Sequence, residues 1–142
     1  MLLIACLLMG GGFAEVCDFI GDDIGTLTAS AAAVVVIESG ECGDNVTYTL
    51  DSKGTLTISG SGNMEEYDWS SSPFYENRNI KKVIIENGVT YIGGLSFRGC
   101  SSLTSIEIPN SVILICDGAF NGCSSLTNII IPNSVTSIGE SA

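Results

Sequence analysis

Apolar and polar residues alternate over Val46-Thr47-Tyr48-Thr49-Leu50 and again over Thr55-Leu56-Thr57-Ile58-Ser59. Successive side chains of a strand point to opposite faces, so the pattern predicts two strands that place Val46, Tyr48, Leu50, Leu56 and Ile58 on one core face. Asp51-Ser52-Lys53-Gly54 between them has tight-turn chemistry, with Gly54 able to take a positive φ. The three pieces together predict a β-hairpin. Upstream, the β-branched run Val34-Val35-Val36-Ile37 reads as a first or edge strand. Downstream, Gly60-Ser61-Gly62-Asn63 breaks the pattern. Residues 64–79 then hold Met64, Tyr67, Trp69, Pro73, Phe74 and Tyr75 among Ser and Asn, which predicts an irregular aromatic loop with one helical turn.

From residue 80 the pattern repeats. Leu103-Thr104-Ser105-Ile106-Glu107-Ile108-Pro109-Asn110-Ser111-Val112 returns as Leu126-Thr127-Asn128-Ile129-Ile130-Ile131-Pro132-Asn133-Ser134-Val135. At the same 23-residue offset Phe97 maps to Phe120, Gly99 to Gly122, Cys100 to Cys123 and Ile115 to Ile138. One step earlier, Ile80, Val83, Ile85, Val89 and Ile92 fill the same apolar positions, and Phe74 stands one repeat before Phe97. A period of this length with an L-x-x-L-x-L core is the signature of a leucine-rich-repeat solenoid. Each repeat supplies one strand whose apolar side is buried by stacking the next repeat, giving a parallel sheet. Proline ends each strand, since it has no N–H for the ladder. Residues 112–115 form a second extended stretch, and Gly118-Ala119-Phe120 a short helical turn. The predicted core is Leu103, Ile106, Ile108, Val112, Ile115 and Phe120, with their equivalents one repeat further on.

The motif Cys-Ser-Ser-Leu-Thr-Ser-Ile-x-Ile-Pro-Asn-Ser-Val, with Gly-x-x-Ala-Phe-x-Gly-Cys, resembles the BspA-type leucine-rich repeats of bacterial and protist surface proteins. The resemblance covers residues 80–142. The stretch from Gly40-Glu41-Cys42-Gly43 to Gly54-Thr55-Leu56-Thr57-Ile58-Ser59-Gly60 is similar to the β-rich region that precedes such repeats. The likeness implies a secreted or cell-surface protein that binds host proteins, other cells or matrix, and it brings no catalytic residues. Ser111 and Ser134 stand where ordinary leucine-rich repeats carry Asn, so a buried Asn ladder is not expected. The repeat at 80–99 is atypical, with Glu86-Asn87-Gly88 for Pro-Asn-Ser and Asn77 for Cys.

The expected organisation is a signal peptide over 1–31, truncated at its start, a β-rich capping region over 32–79, and repeats over 80–142 that stop within a repeat. The apolar stretch 2–9 is too short to span a bilayer and reads as the core of a secretory signal. No Lys or Arg precedes Lys53, so the basic start is missing. Ala29-Ser30-Ala31 is the favoured cleavage site, Ala14 an earlier candidate, and Leu3-Ile4-Ala5-Cys6 a weaker lipobox match. The mature chain is not expected to insert in a membrane. Its last rung, 126–131, would leave an apolar edge open to self-association, as in a fragment of a longer array.

Composition narrows the chemistry. The chain has no His, five Lys and Arg, sixteen Asp and Glu, and a net charge of −11. The commonest general base is therefore absent. The charge disfavours nucleic acid, which needs clustered cations. Cys100 and Cys123 read as small buried hydrophobes at a repeat corner; a disulfide between adjacent rungs also fits, since rungs lie about 4.8 Å apart. A metal site has no His or CxxC to support it. Asp44-Asn45 and the 51–54 turn do not match a calcium loop, and Glu65, Glu66 and Asp68 lie in a polar stretch and read as a solvated loop rather than a glycosidase pair. Asn45-Val46-Thr47 is a glycosylation sequon, relevant in a eukaryotic host. Trp69, Phe74 and Tyr75 read as a seal on the solenoid end, with stacking on a sugar or peptide as the alternative.

The expectation is thus a non-catalytic secreted or cell-surface module, with no cofactor, that binds protein or glycan ligands of a host or neighbouring cell. The alternative is a stalk or accessory region of a larger surface enzyme. The candidate contact residues are those alternating outward on the sheet: Lys82, Ile84, Ser105, Glu107, Asn128 and Ile130.

Overall fold

The computed structural model describes residues 33–142. The signal-peptide core at 2–9, the cleavage sites at 14 and 29–31 and the lipobox at 3–6 lie outside the described residues.

The regular elements are nine strands: β1 (Val36–Gly43), β2 (Val46–Asp51), β3 (Thr55–Gly60), β4 (Gly62–Asn63), β5 (Lys82–Ile85), β6 (Val89–Ile92), β7 (Ser105–Glu107), β8 (Leu114–Ile115) and β9 (Ser137–Ile138). No helix occurs among the described residues. They form a five-stranded sheet, β1-β2-β3-β5-β7, and a four-stranded sheet, β4-β6-β8-β9. The chain coils between the two sheets, and the core lies between them.

The hairpin forms as its alternation predicts. Thr47 pairs with Ser59, Tyr48 with Ile58 and Leu50 with Leu56 across antiparallel β2 and β3. Val46, Tyr48, Leu50, Leu56 and Ile58 are all buried. At the turn, Asp51 Oδ1 accepts the N–H groups of Lys53 and Thr55, both at 2.8 Å, and Gly54 takes φ +88°. These bonds to Thr55 and Lys53 hold the Asp51 carboxyl below the usual carboxylate range. Its oxygen is thus engaged by backbone, as a turn requires.

The hairpin is continuous with the solenoid. β3 pairs in parallel with β5, Thr55 opposite Lys82 and Ile58 opposite Ile85, and β5 pairs in parallel with β7. β3 and β4 therefore make the first coil, on which β5–β6 and β7–β8 stack. At one corner Gly88 has φ +113°, and a Cβ there would stand 2.3 Å from Gly60 O. The coils approach too closely for any other residue.

Phenylalanine and cysteine run through the core as ladders. Phe74 and Phe97 stack at 5.4 Å, Phe97 and Phe120 at 5.5 Å, and Tyr48 closes the first end edge-on at 4.8 Å. Such geometries add to the area each ring buries. Phe74 is thus a repeat residue, sealed by Tyr48. Ile80, Val83, Ile85, Val89 and Ile92 are buried in the positions that the repeat assigns them.

Several expectations are corrected. β1 starts at Val36 rather than Val34 and runs to Gly43, because Gly40 and Glu41 pair with Tyr48 and Thr47. Gly118-Ala119-Phe120 and residues 64–79 contain linked turns, with no helical turn. These segments are cross-bonded between coils: Tyr67 N–H donates to Gly94 O, and Phe97 N–H to Ala119 O. A helix needs those groups for its own bonds. Ile108 and Phe120 are half-buried rather than buried. Residues 126–131 form no strand. Leu126, Ile129 and Val135 are only half-buried, and Ile131 and Ile138 are exposed. Leu126, Ile129, Ile131 and Ile138 line one open depression with Phe120, and no described residue stacks over them.

Candidate functional site

The outer face of the five-stranded sheet is a continuous functional candidate. β3 and β5 alternate half-buried and buried residues, so Thr55, Thr57, Ser59, Lys82 and Ile84 point away from the core. β7 presents Ser105 and Glu107 on either side of buried Ile106. Register aligns them: Lys82 lies opposite Ser105, Ile84 opposite Glu107 and Thr57 opposite Ile84. The Lys82 ammonium pairs with the Glu107 carboxylate across the strands. This pair is exposed, so its contribution to stability is small.

Four of the six expected contact residues are therefore neighbours: Lys82, Ile84, Ser105 and Glu107. Asn128 and Ile130 are exposed, but their segment forms no strand and does not extend the face. Residues that sequence reasoning missed lie in the hairpin. Thr47 and Thr49 on β2, with Thr55, Thr57 and Ser59 on β3, continue the same surface, Thr47 opposite Ser59 and Thr49 opposite Thr57. The alternation that marked the hairpin's buried side also marked its outer one. Across β2, β3, β5 and β7 the result is a hydroxyl-rich face carrying one ion pair and one aliphatic residue, Ile84.

A second cluster lies on the turns. Trp69 is 69% exposed, so it does not seal the solenoid. Arg98, from the next coil, sits 4.3 Å from the Trp69 ring centroid and 5.2 Å from that of Tyr75. Arg98 Nη1 donates to Trp69 O at 3.0 Å. The aromatic group read together from sequence thus divides: Phe74 joins the core, while Trp69 and Tyr75 clasp Arg98.

Among the described residues Cys42, Cys100, Cys116 and Cys123 are free thiols, which corrects the alternative of a Cys100–Cys123 disulfide. Cys100 Sγ–H donates to Phe74 O and Cys123 Sγ–H to Phe97 O, each at 3.1 Å. Each thiol thus satisfies a carbonyl one coil back. Burial first, then neighbouring Cys123, pushes the Cys100 thiol up to about 12. Burial pushes Cys123 up to about 11, and burial with Glu65 pushes Cys42 up to about 12. Such thiols are poor nucleophiles and poor metal ligands, because the thiolate is the reactive form. Among the described residues no group of three or more Cys, Asp or Glu is placed to hold a metal ion. Glu65, Glu66 and Asp68 are exposed on the irregular segment.

The sequence pattern of the BspA type leucine rich repeat region matches residues 69–142 in 6 copies. No curated protein matches the chain. Among solved structures, a leucine-rich repeat protein from Eubacterium ventriosum is 28% identical with a TM-score of 0.57, covering 75% of this chain. The leucine rich repeat protein of T. pallidum is 27% identical over 70% of this chain, TM-score 0.48. A leucine rich cell surface protein from Faecalibacterium prausnitzii is 21% identical over 79%, TM-score 0.44. The chain spans 26%, 54% and 40% of those proteins respectively.

Proposed function

Because the chain belongs to the BspA-type leucine-rich-repeat family, we propose that it is a non-catalytic, extracellular binding module that adheres to proteins or glycans on a host or neighbouring cell. The observation that carries this reading is the outer face of the five-stranded sheet, where Thr47, Thr49, Thr57, Ser59, Lys82, Ile84, Ser105 and Glu107 form one uninterrupted surface. Repeat solenoids commonly recognise partners through such faces. Asn128 and Ile130 belong to the same proposal as flanking contacts. An extracellular setting accords with the BspA-type repeat family to which the chain belongs. The absence of His from the whole sequence and the unreactive state of the core thiols favour recognition over catalysis.

The test is attachment of beads coated with the full chain to cultured epithelial cells, with and without protease or glycosidase treatment of the cells. Lys82→Glu combined with Ile84→Asp should abolish most attachment, whereas Glu86→Lys, a charge change at an exposed corner, should not. Equal attachment by both variants, or no attachment above bare beads, refutes the reading. The enzyme treatments assign the ligand to protein or glycan.

A further inference from the structure

We propose that the Trp69–Arg98–Tyr75 cluster is a binding subsite for a carboxylated sugar, separate from the sheet's outer face. Trp69 is the one tryptophan of the chain. It contributes little to the core, since Phe74 supplies the ring at that coil. Arg98 is gripped by both aromatic rings and by the Trp69 carbonyl.

This grip leaves the guanidinium under-used. It carries five N–H donors. Nη1 is bonded to protein, while Nε is buried with no hydrogen-bond partner among the described residues. No carboxylate among the described residues forms an ion pair with Arg98, although the whole chain carries a net charge of −11. A planar cation, fixed and uncompensated in an acidic protein, is matched by a planar anion. The buried Nε is out of a ligand's reach, so such a carboxylate would accept from the terminal Nη1 and Nη2 groups of the guanidinium.

The surroundings favour a sugar as the bearer of that carboxylate. Trp69 stands among Asp68, Ser70 and Ser71, and no other exposed large hydrophobe lies between Ile37 and Ile113. A peptide anchored by apolar side chains needs a pocket or an apolar patch to receive them. A lone ring edged by hydroxyls suits instead the C–H face of a pyranose, whose partially positive hydrogens pack on the negative π face. The exposed Ser70 can bond its hydroxyls, whereas the Ser71 hydroxyl already accepts Asp68 N–H and donates to Asp68 O. Stacking on Trp69 and a carboxylate on Arg98 would fix the sugar at two points.

The single tryptophan makes its own fluorescence the readout. The full chain is titrated with tetragalacturonate, its methyl ester, sialyllactose, lactose and hexaglutamate. One of the two acidic sugars should shift Trp69 emission saturably. If it is tetragalacturonate, the ester should bind at least about tenfold more weakly; if sialyllactose, lactose should. Arg98→Gln should weaken binding roughly tenfold to a hundredfold, the range for one charge-assisted hydrogen bond, with circular dichroism unchanged. Three results overturn the proposal: equal response to charged and uncharged sugars, saturation by hexaglutamate alone, or no response to either acidic sugar. In the last case a fall in melting temperature of Arg98→Gln identifies the cluster as a clasp between coils. The comparison of charged and uncharged sugars uses the unaltered chain, so it decides even if Arg98→Gln does not fold.

Discussion

Residues 97–115 and 120–138 carry the same apolar pattern, one repeat apart, and meet different fates. Phe97, Leu103 and Val112 are fully buried, and Ile115 is 1% exposed. Phe120, Leu126 and Val135 are half-buried, and Ile138 is 54% exposed. The side-chain directions agree; what differs is the coil on the far side. In a solenoid each repeat stabilises its neighbour more than itself. Burial is therefore a property of the stack, and identical residues should carry unequal energies.

The largest expected difference is at the phenylalanine ladder. Phe97 has a ring stacked on either side, at 5.4 and 5.5 Å. Phe97→Ala should cost about 3–5 kcal/mol, as full truncation of a buried aromatic does. Phe120 has a stacked ring on one side, and Phe120→Ala should cost about half of that or less. Urea denaturation of the two variants measures both. Equal losses would break the comparison and show that the last coil is as tightly held as those before it.

The thiol ladder gives a smaller, pH-dependent contrast. A thiol titrates near 9 when unfolded, and in the fold Cys100 is pushed up to about 12 and Cys123 to about 11. The folded state thus holds its protons more tightly than the unfolded state. The stability is fully present below pH 9 and is lost as pH rises through the folded values. The slope above pH 9 approaches about 1.4 kcal/mol per pH unit for a thiol such as Cys100. Cys100→Ala and Cys123→Ala should each flatten the decline above pH 9, because each thiol keeps its proton in the fold well above that pH. Denaturation midpoints between pH 7 and 11 measure this, and a decline as steep in both variants as in the unaltered chain would overturn it.

These contrasts explain what was legible in the sequence. The regular offset exposed the inward residues of 80–142, because side-chain direction is set locally by the strand. It could not show that Ile138 is exposed where its equivalent Ile115 is buried, because burial depends on the coil stacked above and not on the motif. The union of hairpin and solenoid was hidden for another reason. The step from Thr55 to its partner Lys82 is longer than the step from Lys82 to its own partner Ser105, because the loop after β4 is longer than those in later coils. A search at one period passes over it. Trp69 meets Arg98 across 29 residues, again off the period. Within the contact candidates, Lys82, Ile84, Ser105 and Glu107 follow from alternation alone. Asn128 and Ile130 fit the same alternation, but their segment does not enter the ladder.

The smallest effect gives the sharpest form of the comparison, because both residues are serine at the same motif position. Ser111 Oγ–H donates to Val89 O at 2.7 Å and accepts Gly88 N–H at 3.2 Å, binding its coil to the one before. Ser111 thus does with a hydroxyl what a ladder Asn does with an amide. Ser134, one repeat later, has a buried Oγ with no partner. Ser111→Ala removes two inter-coil bonds and leaves the Val89 carbonyl and Gly88 N–H without that partner, which should cost about 1–2 kcal/mol. Ser134→Ala removes a buried hydroxyl that satisfies nothing, so the change should be near zero or slightly stabilising. Denaturant midpoints at pH 7 resolve a difference of this size. A loss on Ser134→Ala equal to that of Ser111→Ala would mean that Ser134 makes the same bonds to Val112 and Ser111 in solution, and that the last coil is held by the ladder as firmly as the third.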